Sequence, residues 1–154
     1  MNLTNKLLSL NNISKTYHSI NGETKALDSI SFDLYKNEFI GIIGPSGCGK
    51  SSILNIISSL DTDYSGNISI KDNISIGYML QDPCLFPWLT IYENAILGLK
   101  ISKKLNNKTK EFTISLLQKY GLYNFKDKYP NELSGGMKQR LALIRTLACN
   151  PDIL

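Results

Sequence analysis

Histidine is almost missing from this chain: His18 stands alone among 154 residues. One histidine cannot build a zinc-ligand cluster, and the cysteines do not complete one. Cys48, Cys84 and Cys149 show no C-x-x-C spacing. The same scatter excludes a disulfide framework and makes reduced thiols the default. Long apolar runs are absent too. None is long enough to span a bilayer, and the stretch from Met1 to Tyr17 lacks the build of a signal peptide. The expectation is a cytoplasmic chain. Strong charge of one sign is also wanting, since 17 Lys+Arg against 13 Asp+Glu leave a net +4. The densest basic group, Lys103, Lys104, Lys108 and Lys110, reads as a solvated helix face, so no nucleic-acid partner is expected. Repeats and low-complexity segments are lacking. With 42% hydrophobic and 19% charged residues, the composition is that of an ordinary globular domain with a real core.

What is present centres on the stretch from Glu38 to Leu60. Phe39 to Ile43 is a short, nearly unbroken apolar run, which predicts a strand buried on both faces. It leads into Gly44-Pro45-Ser46-Gly47-Cys48-Gly49-Lys50-Ser51, a full match to G-x-x-x-x-G-K-[ST]. Ile53, Leu54, Ile56, Ile57 and Leu60 then recur as on a helix packed against a sheet. The chemistry explains the spacing. A polyphosphate needs many converging N–H donors, and glycines let the backbone wrap it closely. A helix starting near Lys50 turns free N–H groups and its positive end toward the anion. Lys50 can reach the β- and γ-phosphates, and the Ser51 hydroxyl can ligate Mg²⁺. Gly44 to Ser52 are therefore the candidate phosphate-binding positions.

Around this stretch the chain reads as follows. Leu7 to Tyr17 and Ile30 to Tyr35 are predicted strands, and His18 to Thr24, with Asn21-Gly22, is a predicted turn. Asn67 to Lys71 and Ile74 to Leu80 are two more strands. Gln81 to Leu89 holds two prolines and reads as a loop. Thr90-Ile91-Tyr92-Glu93 is a capping box that opens a helix. Lys108 to Tyr120 is helical, with Ile114, Leu117 and Tyr120 on one face and Gly121 as its stop. Ser134 caps a last helix carrying Met137, Leu141, Ile144 and Ala148 at helical spacing. Pro151-Asp152-Ile153-Leu154 points into a further strand.

Leu133-Ser134-Gly135-Gly136-Met137-Lys138-Gln139-Arg140 adds a second motif. Together with the phosphate loop upstream, it resembles the LSGGQ-type signature of the ATP-binding cassette (ABC) ATPases. Met137 replaces the commoner glutamine. The resemblance runs from Leu7 to Leu154. It implies an α/β fold with a P-loop NTPase (RecA-like) core, an antiparallel β subdomain and an α-helical subdomain, C-terminally incomplete. The expected organisation is one partial cassette, 1–154, with a nucleotide-binding core and β subdomain at 1–89 and a helical subdomain with the signature at 90–150. The cofactors implied are ATP and Mg²⁺.

Further roles follow from the resemblance alone. Tyr17 matches an aromatic that stacks on adenine. Gln81 matches a glutamine that contacts Mg²⁺ or water at the γ-phosphate, in a loop that senses the transport domain. Ser134, Gly135 and Gly136 match the half-site that closes over ATP held by a second ABC subunit. The implied partners are that subunit, identical or not, and membrane permease subunits, with the chain peripheral on the inner face of the cell membrane. Cys84 to Asn94 is similar to the nitrate/sulfonate/taurine-type importer branch, with Phe86 and Trp88 as contacts to the permease or as core. The family's Walker B aspartate, catalytic glutamate and switch histidine have no counterpart here, so hydrolysis by these residues alone is expected to be absent or very weak. The rival expectations are a non-catalytic truncated nucleotide-binding remnant and a soluble non-transport ABC ATPase. A P-loop kinase leaves Leu133 to Arg140 without a reason.

Overall fold

The computed structural model describes residues 5–20 and 22–154. Asn21, part of the expected turn, lies outside them. Contacts cluster into two compact units, Met1–Ile74 and Ser75–Leu154.

The first unit is built on an antiparallel sheet of β1 (Lys6–Ser19), β2 (Gly22–Tyr35) and β3 (Ser65–Ile70), in the order β2-β1-β3. The expected early strands are all there, longer than the sequence suggested: His18, Ser19 and Gly22 to Thr24, expected as turn, belong to β1 and β2, whose cross-strand pairing carries the hairpin almost to its tip. Leu8 and Leu10 pair with Leu34 and Phe32 on one side and with Ile70 and Ile68 on the other. The register slips between Leu10 and Ile13, where Asn12 takes a left-handed φ of 53°. Such a bulge reverses which side chains face inward. Leu8 and Leu10 are buried before it, and Ile13 and Lys15 are buried after it. Helix α1 (Lys50–Ile57) buries Ser52, Ile53, Ile56 and Ile57. Leu54 and Leu60 were expected on that packed face but are exposed. Ser59 with φ 60° has already ended the helical path before Leu60.

The strand expected at Phe39 to Ile43 does not form. Residues 38–45 carry no regular secondary structure, and Phe39 and Ile43 are 94% and 96% exposed. A strand in a parallel sheet exists through its ladder, and among the described residues nothing pairs with this run. Hydrophobicity alone did not make it a strand.

The second unit is helical: α2 (Ile91–Ala95), α3 (Leu97–Ile101), α4 (Asn107–Lys119) and α5 (Gly135–Ala148), with 3-10 turns at Tyr123–Phe125 and Pro130–Glu132. Its core joins Ile91, Leu99, Leu117, Leu122, Leu141 and Ile144. On α4 the buried face is Thr113, Leu116 and Leu117. Ile114, expected there, is only half-buried. Thr113 tolerates full burial because its hydroxyl donates to the Thr109 carbonyl at 2.8 Å. The capping box opening α2 forms as expected, with Thr90 accepting from the Glu93 N–H and Glu93 accepting from the Thr90 N–H at 2.8 Å. Gly121, with φ 70°, follows α4 as its stop. Ile74 to Leu80, expected as a strand, shrinks to one parallel bridge between Ile76 and Ile153. The expected strand at the end of the sequence forms no more than that bridge, held by the Gly77 N–H donating to the Ile153 carbonyl at 2.8 Å.

Two outcomes test this packing. Leu141→Ala should cost about 2–5 kcal/mol, read from chemical denaturation, because Leu141 is fully buried. Leu54→Ala should stay within about 0.5 kcal/mol at its exposed site. Separately, hydrogen bonds from the Thr90 N–H and hydroxyl hold the Glu93 carboxyl below its ordinary 4.5. A depressed carboxyl contributes stability above its unfolded pKa and loses it as pH falls through the folded one. Glu93→Gln should therefore flatten the melting-temperature profile on the acid side of pH 4.5, leaving the slope near neutrality unchanged.

Candidate functional site

The first unit holds a loop built for close approach. Gly47 and Gly49 adopt left-handed φ values of 82° and 92°. A Cβ on Gly49 would lie 2.4 Å from the Ala26 carbonyl oxygen on β2. No side chain fits there, so glycine lets α1 begin hard against the sheet. Lys50 opens α1, and its ammonium donates to the carbonyls of Gly44 at 2.9 Å and Pro45 at 2.6 Å. It also lies 3.6 Å from Cys48 Sγ. The loop is thus curled around a cation. The first turn of α1 carries no acidic residue, so its free N–H groups and positive end face no internal carboxylate of that turn. Ser46, Gly47 and Ser51 are exposed, and Ser52 is buried. The fit to a polyphosphate rests on this donor set and on the open space beside Gly47, where a Cβ would meet nothing within 4 Å.

Tyr17 belongs to the same unit. Its hydroxyl is 3.0 Å from Ser52 Oγ, which brings an aromatic ring to the start of α1, and the residue stays 42% exposed. Beneath it lies a group the sequence reading missed. Lys15 is 5% exposed, with its ammonium 5.0 Å from the Tyr17 ring centroid. It pairs with Asp61 and Asp63 at 3.0 Å each and donates to the Asp63 carbonyl. Burial works against its charge, yet the bonds to Asp63 and Asp61 outweigh it and raise the pKa above 10.5. The spacing Lys15-x-Tyr17 puts both on one strand face, but the bulge at Asn12 hides that this face is the inner one.

The second unit holds the other sequence candidates. Ser134 is the N-cap of α5, its hydroxyl accepting from the Met137 N–H at 3.4 Å. Gly135 and Gly136 are exposed with open space where a Cβ would stand. Gln81 is exposed, and its carbonyl accepts from Gln139 Nε2 at 2.9 Å. That bond ties the Gln81 loop to the helix that begins at the signature. Further along α5, the Arg145 guanidinium donates to the carbonyls of Pro83 at 2.7 Å and Cys84 at 2.8 Å. Asn94, fully buried, donates to the carbonyls of Phe86, Leu89 and Thr90 and accepts from the Phe86 N–H. Residues 83–90 are thus pinned from two helices. Phe86 and Trp88 meet edge to face at 5.4 Å, and Trp88 is 69% exposed rather than core. An open groove of about 620 Å³ runs between Pro83, Leu85 and Pro87 and the residues Pro130, Gly135 and Lys138.

Residues 27–154 match the profile of the family described as ABC transporter. The chain belongs to the ABC transporter family. It is 46% identical over 153 residues to the uncharacterized ABC transporter ATP-binding protein YtlC of Bacillus subtilis, covering 96% of this chain and 59% of that protein. It is 40% identical over 154 residues to an aliphatic sulfonates import ATP-binding protein, SsuB, of Bacillus cereus, covering 96% and 60%. To the nitrate import ATP-binding protein NrtD of Synechocystis sp. the identity is 36% over 153 residues, covering 96% and 58%. The chain therefore spans about 60% of the length of such curated relatives. Among solved structures, the dimeric ABC transporter cassette MJ0796 superposes with a TM-score of 0.82 at 33% identity, over 94% of this chain and 71% of that one. A post-hydrolysis dimer of MJ0796 bound to ADP and Pi matches with the same score. The expected fold class holds: this is an ABC cassette fold even though the run at Phe39 to Ile43 carries no ladder here.

For this ABC chain, Gly49→Ala is the sharpest local test. It should destabilise the first unit by about 1–3 kcal/mol, because a left-handed φ and a backbone clash must both be relieved. Gly47→Ala, strained in φ but clear of neighbours, should cost less. Thermal melts of the two variants against the parent decide it.

Proposed function

We propose that this chain is the ATP-binding part of an ABC importer subunit, and that Mg-ATP binds at Gly44 to Ser52 with Tyr17 stacked on the adenine. The observation that carries this reading is the loop itself: left-handed Gly47 and Gly49, the Lys50 ammonium at its centre, and a helix N-terminus free of acidic residues. Lys50 pairs with the phosphates, and the exposed Ser51 hydroxyl is the metal-facing group. Bound Mg²⁺ would neutralise phosphate charge and orient the terminal phosphate for attack by water. Ser134, Gly135 and Gly136 offer exposed N–H groups at the start of α5. Their role is to meet ATP held by a second cassette, which the dimeric MJ0796 structure supports.

Importers are favoured because SsuB and NrtD are named as import proteins. The permease docks on the Gln81 to Leu89 loop. Its exposed Phe86 and Trp88 and the groove beside it support that surface. Gln139 and Arg145 would pass loop movement to the signature helix. No helix among the described residues is long and apolar enough to cross a membrane. The chain works on the cytoplasmic face, peripheral to its permease.

The test is equilibrium binding of labelled ATP with and without Mg²⁺. Lys50→Ala should weaken binding by about 10- to 100-fold, the worth of a charge-assisted contact to phosphate. Ser51→Ala should reduce chiefly the gain that Mg²⁺ confers. Parent-like affinity in Lys50→Ala would remove the phosphate-loop assignment.

A further inference from the structure

Lys15 is a lysine that a β-strand has turned inward, and a buried ammonium is costly unless paired. Its partners come from one short segment after α1. The Asp63 N–H donates to the Asp61 carboxylate at 3.0 Å, which folds that segment so that both carboxylates converge on one ammonium. Ion pairing alone would account for a staple between β1 and this segment. It does not account for the ring. The same ammonium stands 5.0 Å from the centroid of Tyr17, while the Tyr17 hydroxyl is fixed 3.0 Å from Ser52 Oγ. One face and the far edge of the ring are thereby held, and the residue is still 42% exposed. A cation over an aromatic face is attracted to its quadrupole and draws electron density from it. A ring so held keeps its other face for a flat partner.

We propose that Lys15, clamped by Asp61 and Asp63, is a positioning residue for the nucleotide base: it fixes the Tyr17 ring in the orientation that stacks on a purine. This rests on the reading that Tyr17 stacks on adenine. Lys15 itself does not touch the nucleotide. Its raised pKa keeps it cationic at any physiological pH, so the clamp does not switch off near neutrality.

The experiment compares two probes, ATP and inorganic tripolyphosphate, on the parent, Lys15→Met, Lys15→Arg, Asp63→Asn, Tyr17→Ala and the Lys15→Met/Tyr17→Ala pair. Asp63→Asn is the gentler variant, because the Asp63 side chain is 89% exposed. Lys15→Met should weaken ATP by about 3- to 30-fold, the range of a partly desolvated cation–π contact. It should leave tripolyphosphate within about twofold, since phosphate contacts are untouched. Lys15→Arg should restore most ATP affinity, and Asp63→Asn should fall between Met and parent. In the Tyr17→Ala background, Lys15→Met should add nothing, because the two act through one ring. Equal weakening of both probes by Lys15→Met and by Asp63→Asn would mean a structural staple and overturn the inference. So would full additivity of Lys15→Met with Tyr17→Ala, or ATP affinity lost in Tyr17→Ala but not in Lys15→Met. If the parent binds no ATP, or Tyr17→Ala binds it as the parent does, the adenine reading beneath the inference falls and takes the inference with it.

Discussion

The bulge at Asn12 decides what the central strand of the first unit can do. A strand alternates its side chains, so Leu8 and Leu10 facing inward would send Ile13, Lys15 and Tyr17 outward. The left-handed turn at Asn12 adds one residue and reverses the phase. Ile13 then continues the core, and Lys15 and Tyr17 reach the side where α1 begins. The bulge is itself held: the Asn12 N–H donates to Ser31 Oγ at 2.8 Å, and the Ser29 N–H donates to Ser14 Oγ at 2.8 Å. Without that reversal Lys15 and Tyr17 would together face away from the start of α1.

Close backbone contact does the matching work at the loop. Gly49 sits against the Ala26 carbonyl where β2 is locally out of register with β1. The start of α1 is therefore fixed by main-chain shape rather than by a hydrogen-bonded side-chain cap, which it lacks. A helix N-terminus left uncapped keeps its N–H groups for a ligand. In the second unit the opposite economy holds. α5 is capped by Ser134, buries Leu141 and Ile144 on one side, and uses Gln139 and Arg145 on another to hold the Gln81 to Leu89 loop. One helix thus joins core, signature and loop.

Motif chemistry and local signals were the readily legible part. The left-handed glycines ahead of α1, the Thr90 capping box, the Ser134 cap and the Gly121 stop all depend on neighbours within a few residues, and each formed where its residue types stood. Phe39 to Ile43 and Ile74 to Leu80 were misjudged for one reason. A strand depends on a ladder with remote residues, and an apolar run records only the preference for burial, not the presence of a partner. Leu54 shows the same limit on α1, where helical spacing allowed it on the packed face and the actual contact left it 43% exposed.

The amino-acid sequence was sufficient for what is local: which residues line the glycine-rich loop and which start and stop the helices. Tertiary structure alone decided the rest. Whether Lys15 faces water or carboxylates turns on a one-residue slip that reverses the strand's faces, and sequence spacing does not record it. The convergence of Lys15, Asp61 and Asp63 on Tyr17 joins a strand to a loop remote in the chain. Such a cluster depends on distance in space, which only the packed sheet and helix define.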